Sequence, residues 1–233
     1  IKFFLDNIAQ KRLDRICDFT AFGQKVFSRI AASGKTTIAY LDGLTLGGGL
    51  ELALACDHRI GTERTVIAFP ETGIGIYPGL GGTQRAPRLL GKGMAKFLIA
   101  TGKMINAGTA KSYGVIDAIV DRVRQPDELE ALELTSCKCA NDLPEQKFSD
   151  FAGDMTPEIM ESEFFSPYAK LLKSKAPLAL KKAMELIDRG ESMSLDDALK
   201  LELDSLTWIF STEDARRGLQ SVLQRERPVF AGQ

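Results

Sequence analysis

The sequence predicts an α/β fold, and three observations predict it. Short runs rich in β-branched and apolar residues alternate with segments of helical periodicity. Glycine turns separate the two kinds of segment. The apolar content, 44% of 233 residues, suffices for one sizeable core, or for a core with a small appendage. Strands that alternate with helices in this way belong to α/β architectures.

Taken in order, residues 1–33 read as helical and end near Ser33-Gly34. TTIAYL (36–41) is a short β-branched strand. LTLGGGLEL (44–52) then sets three consecutive glycines between an apolar run and the compact apolar helix ELALAC. HRIGT and TVIAF, within 58–69, are extended pieces stopped by Pro70. TGIGIYPGLGG (72–82) is a glycine-rich loop of the kind that lines sites rather than fills cores. A helical pattern runs from Thr83 to Gly102, broken at Gly91 and Gly93. A short helix at 107–113 and the strand IDAIVD (116–121) follow.

The last third differs in kind. Residues 125–139 read as helical, and a long insertion extends to about 166. From Pro167 onward three helices are expected, the second and third opened by capping boxes, Ser194 with Asp197 and Ser211 with Asp214. No internal repeat is visible. The expected division is an α/β core over 1–140 and an insertion with a helical region over 141–233. Because the chain opens on Ile1 rather than Met, directly in a helical pattern, the front of the core is expected to precede it.

Composition narrows the function classes. Thirty Lys+Arg against 31 Asp+Glu give a net charge of −1, without the basic excess of a nucleic-acid binder. Four cysteines (Cys17, Cys56, Cys137, Cys139) read as reduced thiols of a cytoplasmic protein, and Cys137-x-Cys139 lacks the second pair that a zinc site needs. No apolar run approaches the ~18 residues of a membrane span. Gly34-Lys35-Thr36 ends like a P-loop, but Arg29 stands where that loop needs glycine, and a strand follows. No G-x-G-x-x-G follows a strand, so a dinucleotide cofactor is not expected. His58 is the one histidine, and it reads as a partly buried residue at a helix–strand junction. Proton transfer is therefore expected of carboxylates.

Two glutamates stand beside glycine-rich backbone. A glycine turn into a helix lets a ligand approach the main chain, and the first N–H groups of the helix are left for an anion or a polarised oxygen. Glu51 lies in the first turn of that helix, where it serves either the helix dipole or a site. Glu71 follows Pro70 directly, as a solvated turn carboxylate or as a second acid–base group. They are twenty positions apart, which alone does not place them face to face.

DGLTLGGGLELALACD, AFPETGIGIYPGLGGTQR and ATGKMINAGTAKSYGVID, with the closing STEDARRGLQSVLQRERPVF, resemble the enoyl-CoA hydratase (crotonase) family in that family's order. The resemblance implies a spiral of ββα repeats with a C-terminal helical trimerisation region, and a homotrimer or hexamer. It implies acyl-CoA thioester substrates of fatty acid metabolism and no cofactor, coenzyme A being part of the substrate. Carried onto these residues, Gly48 supplies an oxyanion-hole N–H, Gly47 lies beside the substrate, and Glu51 and Glu71 are the catalytic pair. Gly79 matches the glycine whose N–H helps hold the reacting water. The other oxyanion donor of the family would lie before Ile1.

The expected reaction is hydration of 2-enoyl-CoA to 3-hydroxyacyl-CoA, or the reverse, by a hydro-lyase. Acyl-CoA thioester hydrolysis and enoyl-CoA isomerisation on the same scaffold are alternatives, as is a non-catalytic acyl-CoA-binding scaffold. Extra sequence near 140–166 also marks hydrolases of the superfamily, but these generally lack the first glutamate, and Glu51 is present.

Overall fold

In the computed structural model, which describes residues 1–123, 128, 148–153 and 165–233, the first four strands alternate between two small sheets, and the fifth and sixth add one strand to each. β1 (Ile38–Leu41), β3 (His58–Gly61) and β6 (Ala118–Ile119) form one sheet, in which all pairs are parallel. β2 (Leu44–Leu46) pairs parallel with β4 (Val66–Ala68) in the other, and β5 (Ile105–Asn106) lies antiparallel on β4. Each turn of chain therefore lays one strand in each sheet before moving on, which makes a spiral. Ile38 pairs with His58 and Leu46 with Ala68, so successive turns stack 20 and 22 residues apart (58 − 38 and 68 − 46). The repeat is one of backbone path and leaves no visible self-similarity in the sequence. Ile60 of β3 and Ile67 of β4, each 0% exposed, are the fully buried apolar residues of their strands.

The expected helix over 1–33 is two helices, α1 (Lys2–Ala9) and α2 (Leu13–Ala31). The break is a Schellman-type C-cap: Lys11 is left-handed (φ 56°), its N–H reaches Ile8 O, and the Arg12 N–H reaches Asn7 O. α3 (Gly48–Ala53) follows the triple glycine. The helical stretch after Thr83 breaks once, at Gly91, between α4 (Gly82–Leu90) and α5 (Lys92–Thr101). Gly93, expected as a second break, lies inside α5, because an isolated glycine costs a helix only about 1 kcal/mol. α6 (Ala107–Ser112) and β6 occur where expected. The expected helix at 125–139 apart from residue 128, the division at 140–141 and most of the insertion lie outside the described residues.

Past Pro167 the described residues hold five helices where three were expected. After α7 (Ser149–Ala152) come α8 (Ala169–Lys173), α9 (Pro177–Gly190), α10 (Leu195–Asp204), α11 (Leu206–Phe210) and α12 (Glu213–Gln224). At the first expected capping box Ser194 is the cap, its Oγ accepting from the Asp197 N–H at 3.2 Å, while the Asp197 carboxylate accepts from the Ser194 hydroxyl at 2.7 Å. The second is displaced by one residue. Ser211 still has helical dihedrals at the end of α11, so Thr212 becomes the cap and accepts from the Ala215 N–H at 3.1 Å. Asp214 turns instead to the amides of Ala231 and Gly232, each at 2.8 Å. One buried cluster joins Ile67, Phe69 and Phe97 to Ala176, Leu180 and Leu219, so the late helices share the core of the spiral. Among the described residues no helix is long and apolar enough to cross a membrane.

Candidate active site

The site begins where β2 ends. Gly47 has φ 53° and ψ −123°, a conformation that side-chain-bearing residues rarely adopt, and its N–H continues the ladder to Ala68 O at 3.0 Å. That peptide turns the chain directly into α3. The Gly48 amide therefore falls among the first N–H groups of a helix, for which the helix itself supplies no acceptor.

Glu51, on α3, is 2% exposed. Its Oε1 accepts from the Leu80 N–H at 2.7 Å and the Gly82 N–H at 2.8 Å, which leaves Oε2 on the side toward Gly48. Burial pushes its carboxyl up to about 7, against the pull of those two amides and of Arg85. Glu71 opens the 3₁₀ turn Glu71–Ile74 just after β4 and is 7% exposed. Its Oε1 lies 2.5 Å from where a Cβ on Gly47 would stand, and its Oε2 is buried with no hydrogen-bond partner among the described residues. Burial first, and then the charges of Glu51 and Glu202, hold Glu71 well above the usual carboxylate range, with Lys175 opposing. Two carboxyls thus border one dipeptide, Gly47-Gly48.

Strand register brings them there. Because Leu46 pairs with Ala68, residues a few positions past β2 and past β4 sit side by side on consecutive turns of the spiral. The twenty-residue offset between Glu51 and Glu71 is close to one turn.

Gly47, Gly48, Glu51 and Glu71 are therefore brought together. Gly79 lies in the adjoining loop, where its carbonyl accepts from Gln24 Nε2 at 3.0 Å; the amides that reach Glu51 come from Leu80 and Gly82. His58 lies apart, its Nδ1 3.8 Å from Asp117. The P-loop-like residues lead into β1, and just before it Thr37 donates to Asp57. Sequence reasoning missed Glu202, on α10, which is 0% exposed and lies behind the same loop. A signal was present: Glu202 stands three and four positions after Leu199 and Ala198, on the apolar face of its helix.

The fold is thus an α/β spiral of two sheets in which paired buried carboxyls border a glycine turn. Comparison with known proteins agrees with that class. The family described as enoyl-CoA hydratase/isomerase matches residues 1–159. A crotonyl-CoA hydratase from Syntrophomonas wolfei is 36% identical over 213 residues, 91% of this chain and 68% of that protein. A short-chain-enoyl-CoA hydratase from Clostridium acetobutylicum is 34% identical over 209 residues, 90% of this chain and 66% of that protein. A crystal structure of an enoyl-CoA hydratase from Rhodobacter sphaeroides superposes with a TM-score of 0.79 at 26% identity, covering 98% of this chain and 73% of that one. The chain belongs to the enoyl-CoA hydratase/isomerase family and has the crotonase fold.

Proposed function

We propose that this chain hydrates 2-enoyl-CoA thioesters to 3-hydroxyacyl-CoA, or catalyses the reverse dehydration, with Glu51 as base and Glu71 as acid. The observation that carries the reading is the asymmetry of the pair. Glu51 has two backbone N–H groups and Arg85 favouring its ionised form, whereas Glu71 has a buried oxygen without a partner among the described residues and two neighbouring carboxyl groups favouring its protonated form. The names of the relatives, a crotonyl-CoA hydratase and a short-chain-enoyl-CoA hydratase, support the same chemistry.

In the forward direction Glu51 Oε2 takes a proton from water as the water oxygen bonds to C3. The C2=C3 electrons move toward the thioester oxygen, where the Gly48 N–H meets the developing charge. Glu71 then delivers its proton to C2. Return of a proton from Glu51 to Glu71 through the next water resets the pair. A preorganised donor of this kind is typically worth about 2.7–4 kcal/mol of barrier, and a positioned acid–base group about 10²–10⁴-fold. The reading needs no group beyond the coenzyme A of the substrate, and it includes assembly as a homotrimer or hexamer in the cytoplasm.

The test is incubation with crotonyl-CoA. Loss of the conjugated-thioester absorbance without free thiol is expected, and thiol release would favour a hydrolase. Glu51→Gln keeps an acceptor for Leu80 and Gly82 but puts an NH₂ at the reacting position, so turnover should fall by about 10²–10⁴-fold. Turnover at the wild-type rate would remove Glu51 from the chemistry.

A further inference from the structure

Glu202 comes from α10, far along the chain, and its carboxylate is wholly buried behind the loop that serves Glu51. It accepts four hydrogen bonds. Oε1 takes Gln24 Nε2 at 3.0 Å and the Gly81 N–H at 2.7 Å; Oε2 takes the Thr83 N–H at 3.2 Å and the Thr83 hydroxyl. The backbone of α10 is held too, since Tyr77 OH donates to Glu202 O at 2.7 Å.

Four successive amides consequently point alternately to two carboxylates. Leu80 and Gly82 bond Glu51, and Gly81 and Thr83 bond Glu202. Gly81, left-handed at φ 106°, permits the reversal. A segment gripped from both sides in this way has no freedom to roll about its own axis. Gln24 reinforces the grip by also donating to Gly79 O at the front of the loop.

We propose that Glu202 is a positioning residue for the chemistry at Glu51. By holding Gly81 and Thr83 it aims the intervening amides of Leu80 and Gly82 at Glu51 Oε1, so that Oε2 is the oxygen left to react. Without it the loop would roll, Oε1 would lose its paired donors, and the carboxylate would rotate. A misplacement of about 1 Å at such a group is worth about 10²-fold in rate. The kinetic part of the inference rests on the hydration reading; the clamp itself does not.

The experiment is Glu202→Gln in the full chain, read by crotonyl-CoA kinetics from pH 5 to 10 and by amide hydrogen exchange over 79–84. Glutamine retains one acceptor oxygen but sets an NH₂ against the Thr83 donors. kcat should fall about 10–100-fold, while KM stays within about 3-fold, because aim is lost and substrate contacts are kept. Exchange at Leu80 and Gly82, which do not touch Glu202, should quicken at least as much as at Gly81 and Thr83. The alkaline limb of the rate profile should move to lower pH, because Glu71 faces Glu51, Glu202 and Lys175, and above about 8, where Glu202 is ionised, the variant lacks one of its two negative neighbours. Arg85, which faces both Glu51 and Glu202, is unchanged. Wild-type kcat, or faster exchange confined to Gly81 and Thr83, would overturn the proposal and leave Glu202 a structural cap. If Glu202→Gln does not fold, Thr83→Val removes one of the four bonds and keeps the charge. It should lower kcat and quicken Leu80 and Gly82 exchange by about 3-fold, with the alkaline limb in place; no change in either overturns the clamp. A wild-type protein that leaves crotonyl-CoA untouched would sink the hydration reading, while the exchange data would still judge the clamp.

Discussion

Gly47→Ala is the perturbation whose consequences the structure sets most tightly. A Cβ there would stand 2.5 Å from Glu71 Oε1. An ordinary non-bonded contact is roughly 3.5 Å, so the carboxylate must withdraw by about 1 Å. Glu71 has a flexible end and can withdraw, at the expense of its aim. On the rule that such a displacement is worth about 10²-fold, turnover should fall by about that factor. Independently, alanine at φ 53° and ψ −123° carries backbone strain of about 1–3 kcal/mol. The assay is a double-mutant cycle with Glu71→Ala, followed by thermal melting and, for the single variants, crotonyl-CoA turnover. In the Glu71→Ala background the clash is absent, so Gly47→Ala should cost only the backbone strain. Wild-type turnover for Gly47→Ala, with an unchanged melting temperature, would refute both the placement of Glu71 and its role.

Two further outcomes follow from burial and capping. The folded-state carboxyls of Glu51 (about 7), Glu202 (about 8) and Glu71 (well above the ordinary 4.5) are all raised, so their contribution to stability is fully present below 4.5 and is lost as pH rises through their folded-state values. Glu71→Gln, which fixes the neutral form, should therefore melt higher than wild type at pH 8 and show little difference near pH 4.5; an equal offset at both values would contradict the linkage. At the start of α12, Thr212→Ala should lower stability by about 1 kcal/mol in chemical denaturation, whereas Ser211→Ala should do little, because Thr212 and not Ser211 holds the Ala215 amide. The reverse ranking would place the cap where the sequence pattern had it.

How much was legible differs from element to element. β1, β3, α3 and α6 could be read because their apolar period or their β-branched content is local, and Ser194 with Asp197 because a capping box spans only four residues. Ser211 was misread for the same reason in reverse. Two neighbouring hydroxyl residues are equally good caps on paper, and only the length of α11 selects Thr212. The Lys11 break was hidden because a left-handed lysine has no compositional mark, unlike glycine.

By itself the sequence determined which groups are available: a triple glycine that opens a helix, two glutamates beside flexible backbone, and no second histidine to compete with them. Their meeting was decided by tertiary structure. The parallel register of β2 on β4 sets one turn of the spiral beside the next, so a separation along the chain becomes a contact across it. Tertiary structure also brought Glu202 from α10 to the loop at 80–83, over more than a hundred residues of chain. Periodicity reports which face of an element is buried and not what it is buried against, so a carboxylate on an apolar face is visible in one dimension while its partners exist only in three.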